Sequence, residues 1–343
     1  MLKKRLKRII VQKNFKKLLK NYWRAILKLP VLRVGDLIPK YPIIQGGMAI
    51  RISTFRLAAA VANAGGIGII AATALDETEL KGEIRKAREK SKGIIGINIM
   101  FAATRFKELV CTALEEGIDL IIQGAGFSRD IFRWCAEAKT PLVPIVSTAK
   151  LARISESLGA AAVVVEGKEA GGHLGTDQSM RVLVPEIKEA ISIPVIAAGG
   201  IVDTGDLQEA FRLGANGVQM GIRFAASEEA NGAPSLKEAY LRATAEDIVI
   251  IQSPVGLPGR AIRNTFTDEI LSGKVKSPQI CEGCLKKCTA TFCIKEALIN
   301  AQQGNLDQGL IFSGQSIEKI TEILPAAKII RDLVKEYEEI EEM

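Results

Sequence analysis

The chain has 343 residues, 48% of them hydrophobic and 5% aromatic. That is enough to bury one large core, and it excludes a disordered composition. The net charge of +7 belongs to one end, since residues 1–28 hold 11 Lys/Arg and no Asp or Glu, leaving 35 basic against 39 acidic side chains beyond them; a basic, nucleic-acid-binding body is therefore not implied.

The chain begins with an arm, residues 1–35. Leu2, Leu6, Ile9, Ile10, Phe15, Leu18, Leu19, Tyr22, Trp23, Ile26 and Leu27 recur near a 3.6-residue period, with Lys and Arg on the opposite face. This spacing predicts a basic amphipathic helix. It suits packing across the closed end of the body or a partner subunit, and it leaves open peripheral membrane contact through residues 1–28. No secretory signal is legible, and no apolar run reaches the roughly 18–20 residues of a membrane span, so a cytoplasmic protein is expected.

From residue 41 the pattern alternates. Short β-branched runs at 42–44, 67–71, 94–100, 119–123, 142–146, 161–165, 194–198 and 217–221 are predicted strands. Amphipathic helices are expected between them, at 57–64, 77–91, 106–116, 129–138, 149–158, 183–190 and 205–213. Strands separated by helices pair in parallel, and eight such units in about 185 residues fit a (β/α)8 TIM barrel, an α/β fold, over 36–224. A doubly wound open sheet would show an early glycine fingerprint, and none follows the first strand. After Phe224 the rhythm fails. Residues 225–315 read as an inserted helical lid carrying a cysteine cluster, and 316–343 as a C-terminal barrel helix, one long helix over 317–337.

A barrel carries its chemistry at the C-terminal ends of its strands. Glycines gather there: Gly46, Gly47 and then Met48 after the first strand, Gly124 and Gly126 after the fourth, Gly171 and Gly172 after the sixth, Gly199 and Gly200 after the seventh, Gly221 closing the eighth. Glycine lets the backbone approach a ligand and bare its N–H groups. Loops after strands seven and eight commonly hold a phosphate. His173 is the only histidine and the only side chain with an ordinary pKa near 6.5. It follows two glycines in a loop facing the mouth, which makes it the natural base or switchable cation.

Pro42-Ile-Ile-Gln-Gly-Gly-Met-Ala, Asn63-Ala-Gly-Gly-Ile-Gly, Gly96-Ile-Asn98-Ile-Met, Glu169-Ala-Gly-Gly-His173, Ile196-Ala-Ala-Gly-Gly-Ile and Gly217-Val-Gln-Met-Gly together resemble the nitronate monooxygenases (2-nitropropane dioxygenases). They are similar also to a sister group, the FMN-dependent enoyl-acyl-carrier-protein reductases. The resemblance spans about residues 38–225 and implies FMN at the barrel mouth. By position, Gly46, Gly47 and Met48 would run along the isoalloxazine and Asn98 would hydrogen-bond the flavin. Gly171, Gly199, Gly200, Gln219, Met220, Gly221 and Ile222 would hold the phosphate end. Position 222 is frequently Thr in the family and is Ile here. Glu166 stands where the monooxygenases often have Gln and the reductases Glu. The implied reaction is oxidation of an alkyl nitronate with O2, with His173 as base or substrate-positioning residue. The alternative is NAD(P)H-dependent reduction of an enoyl thioester. A barrel of the IMP dehydrogenase type needs a nucleophilic Cys in the loop after strand six, and residues 167–179 contain none. A homodimer is left open.

Cys281-x2-Cys284-x3-Cys288-x4-Cys293 has the density of a four-thiolate zinc or iron–sulfur site. Packed or surface thiols and a redox pair are the other readings, and no metal is assigned to the catalytic site.

Overall fold

The computed structural model describes residues 29–48 and 50–340. The expected amphipathic helix over 1–28 lies outside the described residues.

Eleven strands are found among the described residues: β1 Ile43–Gln45, β2 Gly68–Ala71, β3 Ile95–Met100, β4 Leu120–Gly124, β5 Leu142–Val146, β6 Val163–Glu166, β7 Gly172–His173, β8 Val195–Ala198, β9 Gly217–Met220, β10 Ile248–Gln252 and β11 Pro258–Ile262. Eight of them form one parallel sheet in the order β1-β9-β8-β6-β5-β4-β3-β2. The sheet closes on itself just before β2, where Ile67 N–H donates to the Ile43 carbonyl (2.9 Å) and Gln45 N–H to the Ile67 carbonyl (3.0 Å). The fold is thus the (β/α)8 barrel, and each of the eight expected strands has its counterpart.

Helices α1 Phe55–Asn63, α2 Glu77–Lys90, α3 Phe106–Glu115, α4 Asp130–Glu137, α5 Ala149–Ser157, α6 Met180–Ala190 and α7 Thr204–Arg212 cover the barrel. Local chemistry starts several of them. Asp76 with Glu79 caps α2, and Asp203 with Asp206 caps α7, each in a reciprocal box that satisfies two orphan N–H groups. Two layers of apolar side chains follow from the two-residue period of a strand. Outward residues such as Ile70, Ile97, Ile121 and Val163 pack under the helices. Inward residues Ile44, Ile69, Leu120, Ile122, Val164 and Ile196 fill the barrel interior. Leu32 and Val34 join that inner cluster, so the last residues of the 1–35 segment close the bottom of the barrel rather than standing apart from it.

Beyond β9 come α8 Ile222–Ala225, α9 Pro234–Arg242, α10 Thr265–Leu271, α11 Ile294–Gln303 and α12 Ala326–Ile340. Two expectations need correction here. The segment 225–315 is not all helical, because β10 and β11 form an antiparallel hairpin whose inner strand pairs with β7. The C-terminal helix begins at Ala326, not at 317. Pro325 cannot sit inside a helix without losing a hydrogen bond and clashing with the preceding turn, and before it only a single 3-10 turn forms, at Ile317–Lys319. Helix α12 packs against α1 and α7, completing the helical ring from the far end of the chain. No helix of the described residues is long and apolar enough to cross a membrane.

Candidate functional site

Alternation along the strands decides what meets at the barrel mouth. Below the mouth the inward positions are aliphatic. Toward the mouth they become Asn98 on β3, followed by Met100 at its end, Glu166 on β6 and Gln219 on β9, and all of these line a cavity of about 450 Å³. Gly46, Gly47, Met48, Gly171, Gly199, Gly200, Gly221, Ile222 and His173 line it as well. Met220 departs from the sequence reading. Its side chain points into the helix-facing layer beside Val218, while its carbonyl accepts the Gly46 N–H at 2.9 Å.

The glycines are needed as glycines. A Cβ on Gly47 would stand 2.2 Å from the Asn98 Cβ, and one on Gly171 would stand 2.5 Å from the Ser313 carbonyl carbon. Gly199 and Gly200 have φ of +104° and +74°, in the region that side chains avoid. The N–H groups of Gly199, Gly200, Gly221 and Ile222 donate to no backbone carbonyl among the described residues. Gln219 Oε1 is buried and also without a partner. Unpaired donors and a bared acceptor at one end of a cavity form a place for a polar ligand, because leaving them dry and unpaired would cost about 1–3 kcal/mol each.

Two titratable groups share the cavity. Burial raises the Glu166 carboxyl from 4.5 to about 7, since the low-dielectric surroundings oppose its charge. Burial lowers the His173 imidazole from 6.5 to about 4 for the same reason with the opposite sign. His173 is therefore uncharged at neutral pH.

The segment after β9 fixes that imidazole. His173 sits on β7, opposite Gly259 of β11. Its Nε2 lies 2.8 Å from Ser253 Oγ, and the Phe312 ring meets it edge-on at 5.2 Å. Ser253, 4% exposed, belongs to the hairpin turn. Arg260 of β11 donates to the Ala170 carbonyl (3.1 Å) and the Lys168 carbonyl (2.6 Å), holding the loop that presents Gly171 to His173. Ser316 Oγ donates to the Gly200 carbonyl at 3.1 Å. Sequence reasoning missed Ser253, Arg260, Phe312 and Ser316. They reach the site by long-range pairing, and the only local trace was the Gly-Pro turn chemistry around 253–259.

The profile of the nitronate monooxygenase family matches residues 33–116 and 96–336. A probable nitronate monooxygenase of Staphylococcus aureus is 30% identical, over 88% of this chain and 95% of its own length. A (3aS,4S,5R,7aS)-5-hydroxy-7a-methyl-1-oxo-octahydro-1H-indene-4-carboxyl-CoA dehydrogenase of Rhodococcus jostii is 28% identical, over 86% of this chain and 93% of its own. Among solved structures, FabK from Thermotoga maritima is similar with a TM-score of 0.81 and 37% identity, covering 89% of this chain and 94% of that one.

Proposed function

Because the chain belongs to the nitronate monooxygenase family and is an oxidoreductase, we propose that it holds FMN at the barrel mouth and oxidises alkyl nitronates with O2. The residues present fit that cofactor. The bared N–H groups of Gly199, Gly200, Gly221 and Ile222 suit a phosphate, and backbone donors there need no hydroxyl at position 222. Gln219 Oε1 and Asn98 offer polar contacts, and Gly46 and Gly47 leave room for a flat ring. Bound FMN would supply the electron transfer from substrate to O2.

The observation that carries the reaction is the neutral, buried imidazole of His173 in that same cavity. A base must be unprotonated to act, and His173 is unprotonated at pH 7, with a smaller driving force for taking the proton than a group titrating near 7 would have. We assign the tautomer in which Nε2–H donates to Ser253 Oγ, leaving Nδ1 free to take the α-proton of a neutral nitroalkane and so form the nitronate in place, while a nitronate supplied as such needs only to be positioned by the ring. Phe312 and the hairpin hold the ring and exclude water from it. Glu166, raised to about 7, keeps a share of neutral carboxyl at physiological pH and so repels an anionic nitronate less than a fully ionised carboxylate would. Anaerobic mixing of the flavoprotein with a nitronate tests the reading: rapid flavin bleaching by nitronate alone supports it. Bleaching only by NADH or NADPH, with reoxidation by an enoyl thioester, overturns it.

That second outcome is the other reading, an NAD(P)H-dependent FMN enoyl-acyl-carrier-protein reductase. It is favoured by Glu166 and by a relative whose name carries a CoA thioester. The neutral His173 counts against it, because an acid that completes such a reduction must hold a proton at working pH.

A further inference from the structure

The oxidoreductase site makes no use of the four clustered cysteines, yet the fold brings them together. Cys281, Cys284, Cys288 and Cys293 line one separate cavity of about 260 Å³ in the segment after α10. Between residues 272 and 293 the chain forms no helix or strand, a length well beyond the roughly 12–15 residues at which structureless loops in compact domains become uncommon. Such a stretch needs something to hold it.

Part of what holds it is visible. The segment lies across the loop between β3 and α3. Leu285 bridges Ala103, Thr104 N–H donates to the Cys284 carbonyl at 3.0 Å, and Lys286 N–H donates to the Ala102 carbonyl at 2.9 Å. The Lys286 ammonium donates to the Phe101 carbonyl at 2.8 Å and stands 3.7 Å over the Phe101 ring. Phe101 in turn abuts Gly126, which lines the main cavity. At its other end the segment runs into α11, whose Leu298 and Gln302 also line that cavity. The cysteine segment is therefore a latch between lid and barrel at the mouth.

We propose that Cys281, Cys284, Cys288 and Cys293 are the four ligands of a structural Zn2+ site that ties this latch to α11. Spacers of two, three and four residues all fall within the range of compact zinc loops, and four protein thiolates close a tetrahedral site with no open position. The common iron–sulfur run has spacers of two, two and three residues, against two, three and four here. Lys295 lines the same cavity as the four thiols and offsets part of the charge of four thiolates on one ion. Among the described residues no three such groups already stand in a ligand arrangement. The ion would draw the thiols in across the cavity they share, and the stretch 287–293, which forms no helix or strand, can yield to it. The site is independent of which substrate the barrel takes.

The test uses the full-length flavoprotein purified without chelators or oxygen. Elemental analysis should find about one zinc per chain, and the four thiols should resist a thiol reagent until zinc is removed. Cys281→Ser with Cys288→Ser, both exposed positions, should lose the zinc and keep the flavin. Cys111→Ser should keep both. Should the double variant fail to fold, Co2+ exchanged into the parent decides, through the sulfur-to-cobalt charge-transfer bands of a tetrathiolate. A zinc-free parent with four freely reacting thiols overturns the proposal, as does iron in place of zinc or a disulfide among the four.

Discussion

His173 and Glu166 occupy one cavity, and burial shifts them in opposite directions. For His173 the consequence is kinetic. With the imidazole near 4, the acid limb of the kcat/KM profile should fall near pH 4 rather than near the ordinary 6.5. His173→Ala should stay yellow and lose turnover of a neutral nitroalkane by about 100-fold or more, the usual reach of a positioned base. A variant as active as the parent would remove the base from the mechanism. For Glu166 the consequence is stability. Its folded value near 7 lies above the ordinary 4.5, so the folded chain holds more protons between those values. The contribution of its neutral form is complete below pH 4.5 and is lost as pH rises through 7. His173 runs the other way: its contribution is present above 6.5 and lost as pH falls through 4. Between about 4.5 and 6.5 the two trends offset each other, and above 6.5 Glu166 acts alone. Glu166→Gln should therefore be more stable than the parent at pH 8, by up to about 3 kcal/mol. The gain should shrink to nothing toward pH 4.5. Thermal unfolding across that range decides, and a gain equal at every pH would sink the assignment.

At the scale of elements, what sequence reveals depends on how local the cause is. β5 falls at 142–146 as expected, because a β-branched run between a proline and a helix cap carries its own signal. The glycine loops are equally legible, since a bared N–H needs a residue without a side chain. The hairpin of β10 and β11 is not legible in the same way. Ile248–Gln252 is an apolar run, but its hairpin completes a sheet with β7, a two-residue strand from the loop after β6, far earlier in the chain. Nothing within a local window announces that pairing. Ser253 and Arg260 escaped notice with it. Helix–strand contact gives a sharper prediction. A Cβ on Gly68 of β2 would stand 1.9 Å from the Ala58 carbonyl oxygen of α1, and that oxygen belongs to backbone that cannot swing aside. Gly68→Ala should cost at least about 3 kcal/mol, the upper range for overpacked cores. A urea midpoint unchanged from the parent would show that α1 can lift from the sheet.

Across the whole molecule, the barrel's last covering helix comes only after the lid. Helix α12 buries Ile329, Ile330, Leu333, Val334 and Tyr337 against α1 and α7, with Tyr337 edge-on to Phe211 at 5.8 Å. Polar ties add to it. Thr204 Oγ1 donates to Glu336 at 2.7 Å, and Ala326 N–H donates to Glu229 at 2.9 Å. At about 1.5–3 kcal/mol for each large side chain removed from water, the apolar contacts alone contribute roughly 10 kcal/mol. A domain's entire net stability is about 5–15 kcal/mol. The lid is thus held at both ends, entering from β9 and returning through α12, and the barrel cannot shed its last helix and remain folded. A chain ending at residue 324 keeps every candidate cavity residue named above, yet it should be insoluble or bind a hydrophobic dye and retain no flavin. Recovery of that fragment as a soluble, yellow, cooperatively unfolding protein would show that the barrel closes without α12.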